Sequence, residues 1–328
     1  MGGVHHFPVT IVELTDDDGV TGYGECAPSS RYQENVEGGL DFFSLLDARQ
    51  LSFDEVASSM DHVERLAPGQ FAAKGALNMA LLDGAARRTG KPLHDFLGLT
   101  FQDKHYVTSF SIGIDRSEVI REKTLAARDY PILKLKVGVS EDKANFTALR
   151  EAAPGKRVRL DANEGWKTKE QALEMIEWFA KDSQVEFIEQ PMPATSAPGD
   201  LAWLKQRSPL PLFADESYRS ASDLAACVDA FHGVCVKLSK AGGVSRAVDA
   251  LKLARGAGLK TMLGCMIETS VLISAAAHLA ALTDHLDLDG NLLITNDPFR
   301  GVTAKNGVLS FAEAAEPFGL RVKAKDVK

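Results

Sequence analysis

Cysteine is scarce in this chain: four among 328 residues. Cys26, Cys227, Cys235 and Cys265 are scattered, with no CxxC pair, which excludes a disulfide scaffold and fits a reducing compartment. Positive charge is also in deficit. Lys and Arg number 37 against 45 Asp and Glu, a net charge of −8, so no broad basic surface for nucleic acid is expected. Long apolar runs are missing too. The most apolar window, Val271 to Leu282, is far short of a membrane span, and the start MGGVHHFPVT has neither a basic n-region nor an apolar h-region. The expectation is a cytoplasmic protein with no membrane and no nucleic-acid partner.

What remains is an ordinary globular balance, 45% hydrophobic and 25% charged, in a length that permits one large barrel or two domains. Residues 8 to 26 read as a hairpin: PVTIVEL, the turn residues TDDDG, then VTGYGEC. From about residue 36 to 98 the pattern is helical, most clearly over Gln70 to Arg88, where Ala72, Ala76, Met79, Leu82 and Ala86 recur at three- and four-residue steps. Residues 1–104 thus form a small α+β unit, ending in a linker over Leu99 to Lys104.

After residue 105 short β-rich runs alternate with amphipathic stretches. The runs are YVTSFSI, PILKLKV, RVRLDA, VEFIEQ, LPLFADE, GVCVKL, LKTMLG and DHLDLD. Strand–helix alternation implies right-handed βαβ crossovers and a parallel sheet, and eight runs match a closed (β/α) barrel. Periodicity leaves an open doubly wound sheet available, but no GxGxxG or GxxxxGK[ST] fingerprint follows any run.

Charged residues stand at the C-terminal ends of these runs: Lys134 and Lys136, Asp161, Glu189, Asp215, Lys237, Glu268, and the pair Asp287 and Asp289. From Lys136 onward each is roughly one βα unit from the last, which puts ionisable side chains at the mouth where barrels carry their chemistry. Singly, an Asp after a strand is most often a helix cap and a Lys is usually solvated. Three carboxylates from three consecutive strands, flanked by lysines, are poorly explained as caps. Such a set, without His or Cys, supplies the hard oxygen ligands that suit Mg²⁺, a Lewis acid for an enediolate oxygen. Lys136 and Lys237 lie on strands across the barrel, with cationic neighbours expected to lower their pKa values. Two bases facing one carbon from opposite sides are what a 1,1-proton transfer requires.

The motifs KLKVG, RLDANEGW, FIEQP, ADES, VKLSKAGG and GCMIETS, spanning residues 134 to 270, resemble the enolase superfamily, specifically its muconate lactonizing subgroup. The pairing of a Lys base with Mg²⁺ is that superfamily's known chemistry. The hairpin TDDDGVTGYGECAP followed by RYQE is similar to the family's N-terminal capping domain. The resemblance therefore implies an enolase-like modified TIM barrel over residues 105–300, a cap over 1–104, and a C-terminal segment, 301–328, returning to the cap. It also implies a further strand and mobile loop ahead of the hairpin, which this sequence does not show before it. Asp287-Leu288-Asp289 resembles the DxD that holds a dipeptide's α-ammonium, two carboxylates for a cation that muconate and succinylbenzoate lack.

Carried over residue by residue, the resemblance implies Asp161, Glu189 and Asp215 as Mg²⁺ ligands and Lys136 and Lys237 as acid/base catalysts. Lys134 would support the substrate carboxylate, while Ser111, Cys265, Asp287 and Asp289 would bind substrate. Glu268 and Lys240 would stand behind the ligands. The implied activity is dipeptide epimerisation at the α-carbon of the C-terminal residue, with L-Ala-D/L-Glu from peptidoglycan recycling as the leading substrate and association into a homo-oligomer. Arg31 is the visible candidate for reading an acidic side chain, although a solvated loop arginine is the plainer reading. Competing readings are a muconate-type cycloisomerase or o-succinylbenzoate synthase on the same scaffold, a Schiff-base aldolase using Lys136 or Lys237, and a barrel without catalysis.

Overall fold

The computed structural model describes residues 6–314 and 316–325. The chain opens with the antiparallel hairpin β1 (Thr10–Thr15) and β2 (Thr21–Cys26). Its turn is closed by the Asp16 carboxylate, which accepts the amides of Asp18 and Val20, with Gly19 at φ +80°. Helices α1 (Val36–Phe43), α2 (Val56–Leu66), α3 (Phe71–Arg88) and α4 (Leu93–Phe96) follow. The long helix α3 is buried along most of its length and lies directly on β2. That approach needs glycine: a Cβ at Gly24 would stand 1.9 Å from the Ala76 carbonyl oxygen.

Eight parallel strands then form one sheet: β3 (Phe110–Ile112), β4 (Ile132–Lys136), β5 (Arg157–Asp161), β6 (Val185–Glu189), β7 (Leu212–Ala214), β8 (Gly233–Val236), β9 (Lys260–Gly264) and β10 (His285–Asp287). The strands pair in sequence order, as right-handed βαβ crossovers produce. The seam between β3 and β10 is closed by a parallel bridge between Thr108 and Leu286, so the sheet is a nearly closed barrel. The connecting helices are α5 (Ser117–Ala126), α6 (Asp142–Ala152), α7 (Lys169–Phe179), α8 (Pro198–Arg207), α9 (Leu224–Ala230), α10 (Leu238–Ala241), α11 (Val244–Gly256) and α12 (Ser270–Ala277). The first part of the apolar window noted in the sequence is α12, every residue of which is buried. Among the described residues no helix is long and apolar enough to cross a membrane.

Inward-facing side chains plug the lumen in layers. Phe187, Phe213, Cys235 and Met262 form one apolar layer, each two residues short of its strand's end position or near it. Across from them Arg159 is buried, donating to Glu186 and to the Leu286 carbonyl, with its guanidinium over the Phe187 ring. Register then sets the layer above. Lys136 pairs abreast of Asp161, and Asp161 abreast of Glu189.

The barrel and the first unit are joined by buried polar contacts. Glu25 on β2 accepts the amides of Thr269 and Leu272 and the Thr269 hydroxyl at the start of α12. Asp83 on α3 accepts the amides of Tyr23 and Leu320 and the Arg87 Nε. Residues 299–324 add the small pairs β11 (Phe299–Arg300) with β14 (Lys323–Ala324) and β12 (Thr303–Lys305) with β13 (Val308–Ser310); Gly319 bridges to Pro92 beside α4.

Candidate active site

The strand ends converge on one cavity of about 760 Å³, lined by Ser111, Lys134, Lys136, Asp215, Lys237, Cys265, Asp287 and Asp289. Asp161 and Glu189 lie beneath it, both wholly buried. The sequence-predicted residues are therefore assembled together, from all eight strands. Lys136 enters at the end of β4 and Lys237 just after β8, half a barrel apart.

The carboxylates and ammoniums interlock. Lys136 Nζ is 2.7 Å from Asp161 Oδ2, and Lys237 Nζ is 2.8 Å from Asp215 Oδ2. Lys240 donates to the other Asp215 oxygen at 2.5 Å and to the Asp215 carbonyl. Lys134 is buried among three carboxylates. Its Nζ lies 2.6 Å from Asp287, 2.7 Å from Glu189 and 3.0 Å from Asp161. The resemblance implies a substrate carboxylate as the partner of Lys134, and in this structure its ammonium contacts three carboxylates of the protein.

Burial raises the pKa of every carboxylate in the set, and the nearest cations decide the net direction. Asp161 and Asp215 end well below the ordinary range because two lysines face each. Glu189 is pushed up to about 8 by burial and by Asp161. Asp289 rises to about 6 through burial and its neighbour Asp287. The lowered pKa expected at Lys136 and Lys237 rested on cationic neighbours, and the protein groups around Lys237 act in the other direction. Burial acts to lower it, but Asp215, with Cys235 and Glu189 behind, outweighs burial and holds the proton. Its nearest partner is the Asp215 carboxylate, at 2.8 Å.

The DxD pair is split between two neighbours. Asp287 accepts from Ser109 Oγ and Lys134, whereas Asp289 accepts the Ser111 amide at 2.7 Å, with Cys265 Sγ at 3.8 Å. Glu189 Oε1 has no hydrogen-bond partner among the described residues, and Oε2 has only its contact with Lys134. An unpaired, buried carboxylate oxygen beside two further carboxylates fits a hard divalent cation, so the donor set present suits Mg²⁺. Glu189, Asp215 and Cys235 also bring one ligand atom each within 4.8 Å of one another.

Glu216, Tyr32, Phe7, Pro8, Val9 and Cys235 stand at the site without having been singled out by the sequence pattern. Glu216, beside Asp215, is pushed up to about 7 by burial and by Asp215, and lines the cavity. It falls outside the one-per-strand spacing that singled out its neighbour. Tyr32, Phe7, Pro8 and Val9 reach the mouth from the first unit, where no regular spacing marks them. Cys235 shares the inward face of Lys237 at i−2, a signal that alternation carried but that its apolar surroundings hid. Arg31 lines the mouth as well, yet its guanidinium makes a two-pronged pair with Glu164 at 2.6 and 2.7 Å. Glu268 is buried and pushed up to about 8 by burial and by Glu25.

Comparison with known proteins agrees with this geometry. The family described as mandelate racemase/muconate lactonizing enzyme, N-terminal domain, matches residues 1–98, and enolase C-terminal domain-like matches residues 118–314. The chain is 66% identical over 317 residues to an L-Ala-D/L-amino acid epimerase of Pedosphaera parvula, covering 97% of this chain and 91% of the relative. It is 40% identical over 295 residues to an L-Ala-D/L-Glu epimerase of Bacteroides thetaiotaomicron, covering 89% and 76%. Among solved structures, a dipeptide epimerase from Enterococcus faecalis complexed with Mg and L-Leu-L-Tyr superposes with a TM-score of 0.88 at 29% identity, over 96% of this chain and 91% of that one.

Proposed function

The chain belongs to the mandelate racemase/muconate lactonizing enzyme family of the enolase superfamily, and from that premise we infer that it is a Mg²⁺-dependent epimerase of dipeptides. The observation that carries the reading is the placement of Lys136 and Lys237 on opposite sides of one cavity, above Asp161, Glu189 and Asp215. One lysine takes the α-proton of the dipeptide's C-terminal residue, and the other returns a proton to the opposite face. Asp161, Glu189 and Asp215 hold the cation. Bound there, Mg²⁺ supplies the positive charge that stabilises electron density building up on the substrate carboxylate. Asp287 and Asp289 receive the α-ammonium, a role supported by their wholly buried carboxylates at the cavity wall. Ser111 and Cys265 complete the wall beside Asp289.

Within the proposal, residues 1–104 act as the cap that shapes the mouth, 105–300 as the catalytic barrel and 301–328 as its tie back to the cap. The substrate reading is L-Ala-X. The mouth is lined by Phe7, Pro8, Val9, Ile267 and Leu293, and Arg31 is engaged by Glu164, which favours neutral X alongside Glu. Four free cysteines support a reducing, cytoplasmic setting, and dipeptides from peptidoglycan recycling are the proposed source. Association into a homo-oligomer belongs to the same proposal. A cycloisomerase has no use for the paired carboxylates at the end of β10 and just beyond it, and is the weaker reading.

The test is α-proton exchange in D₂O with Mg²⁺ on L-Ala-L-Glu and L-Ala-L-Leu, read by NMR. Deuterium at the C-terminal residue's α-carbon, abolished by EDTA, is the expected result. Absence of exchange on a wide dipeptide set would refute the assignment.

A further inference from the structure

The floor of the site contains a donor that the proton-transfer chemistry does not use. Cys235 is wholly buried on β8, two residues before Lys237, and its thiol makes no hydrogen bond to any described residue. Gly264 on the adjoining strand makes room for it: a Cβ there would stand 2.6 Å from Cys235 Sγ. The thiol therefore occupies space that any larger residue at 264 would take. Its sulfur, one Glu189 oxygen and one Asp215 oxygen lie within 4.8 Å of one another, all three side chains buried. The Glu189 Oε1, unpaired and fully buried, marks this place as wanting a cation, hard or soft.

We propose that Cys235, Glu189 and Asp215 form a thiophilic cation position at the floor of the site, one that takes Zn²⁺ or Cd²⁺ and in doing so excludes the hard catalytic ion. The proposal rests on reading Glu189 and Asp215 as cation ligands. One sulfur and two carboxylate oxygens supply three corners of a tetrahedron, with metal–sulfur and metal–oxygen bonds of about 2.3 and 2.0–2.2 Å for zinc. Ligand atoms up to 4.8 Å apart need to close by about 1 Å, within reach of rotating Glu189 and Asp215 side chains. A fourth position is left for water. As the sulfur–metal bond forms, the thiol proton leaves to buffer. Lys134, 2.7 Å from Glu189, and Lys237, 2.8 Å from Asp215, give up those contacts to the incoming ion. The hard catalytic ion is excluded because Glu189 and Asp215, two of the three carboxylates that would hold it, are occupied by the soft one. A soft ion would thus act as an inhibitor bound by the enzyme's own ligands, while Mg²⁺, indifferent to sulfur, gains nothing from Cys235.

The experiment is Cd²⁺ titration of the full chain, kept reduced with a phosphine, followed by the ultraviolet sulfur-to-cadmium charge-transfer band and by cadmium NMR. Variants Cys235→Ala, Cys265→Ala and Glu189→Gln are compared, and Mg²⁺-dependent exchange is measured in parallel. Cys265 is the control thiol, since it borders the same cavity near Asp289. The expected result is a band in the wild type and in C265A that is lost in C235A, with Cd²⁺ affinity falling about tenfold or more there. Mg²⁺-dependent exchange should persist in C235A, and E189Q should lose the band and the exchange together. A band that survives C235A, vanishes in C265A, or is absent from the wild type overturns the proposal. If C235A does not fold, a wild-type cadmium shift with no sulfur ligand, or loss of the band in C265A, overturns it equally. Exchange that proceeds undiminished in E189Q would instead count against the metal reading of the active site, separately from the sulfur.

Discussion

Glu25 offers the sharpest energetic test of how the cap is held to the barrel. Its Oε1 accepts the Thr269 amide at 2.8 Å, and its Oε2 accepts the Thr269 hydroxyl at 2.7 Å and the Leu272 amide at 3.1 Å. The carboxylate thus satisfies two amides in the first turn of α12 from another part of the chain. Glu25→Gln keeps the shape but turns one acceptor into a donor. The hydroxyl can rotate to suit, yet one buried amide is left without an acceptor at a cost of about 1–3 kcal/mol. Removing the negative charge from a helix N-terminus costs about 0.3–1 kcal/mol more. Burial raises the Glu25 pKa despite its three hydrogen bonds, so part of the charge term is already offset, and the sum belongs in its lower half, about 1.3–2.7 kcal/mol. For a chain of this length, at about 2.1 cal/mol/K of unfolding entropy per residue, that corresponds to a fall in Tm of about 2–4 °C. The assay is thermal unfolding by circular dichroism at pH 7, with α-proton exchange measured on the same sample. Exchange per folded molecule should stay near that of the wild type, because Glu25 does not line the cavity. A melting point within about one degree of the wild type would refute the reasoning, since the orphaned amide must then have found water or another partner.

Three other outcomes are expected. Lys136→Met and Lys237→Met should each lower epimerisation by about 10²-fold or more, while each retains α-proton exchange on one stereoisomer only, read by NMR in D₂O; exchange on both isomers in either variant contradicts the two-base geometry. Glu164→Gln releases Arg31 from an exposed pair worth up to about 1 kcal/mol, so kcat/KM for L-Ala-L-Glu relative to L-Ala-L-Leu should rise by up to about fivefold, checked by competition in one tube. His285 is held down to about 4 by burial and by Arg159, from an ordinary 6.5, so it is neutral when folded while the unfolded chain takes up a proton. Its contribution to stability is therefore lost as pH falls from 6.5 toward 4, and the melting-point gap between wild type and His285→Gln should move in the variant's favour over that window.

The barrel was legible because its strands recur one βα unit apart and each ends on an ionisable residue. Asp161, Glu189 and Asp215 could be picked out since three carboxylates on successive strands have no common structural use. The depth of each residue in the lumen was not legible. Lys134 and Lys136 share a face at i and i+2, but only the barrel's curvature puts the first among Asp161, Glu189 and Asp287 and leaves the second near the mouth. Arg159 reads as one more basic residue in RVRLDA, whereas its burial depends on Glu186 and the Leu286 carbonyl, reached only when the sheet closes. Asp83 and Glu25 were silent for a similar reason, as their partners lie more than two hundred residues away at Leu320 and Thr269. Patterns within one element reveal its faces, and contacts across the closed fold do not show in them.

The barrel is laddered at seven of its eight junctions, and the eighth rests on the Thr108–Leu286 bridge. Around that seam the remaining ties are side chains: Ser109 to Asp287, the Ser111 amide to Asp289, and the Leu288 amide to Thr108. Two of these acceptors are the carboxylates assigned to the substrate's ammonium. Ligand occupancy and the opening of this junction are therefore linked through shared groups, and the seam is where the barrel should breathe first. A dipeptide that bridges Asp287 and Asp289 adds a staple where the ladder has none. Amide hydrogen exchange at Ser109, Ser111 and Leu288 should slow on binding more than at any other strand, making the weakest junction of the cylinder the one most sensitive to whether the enzyme is at work.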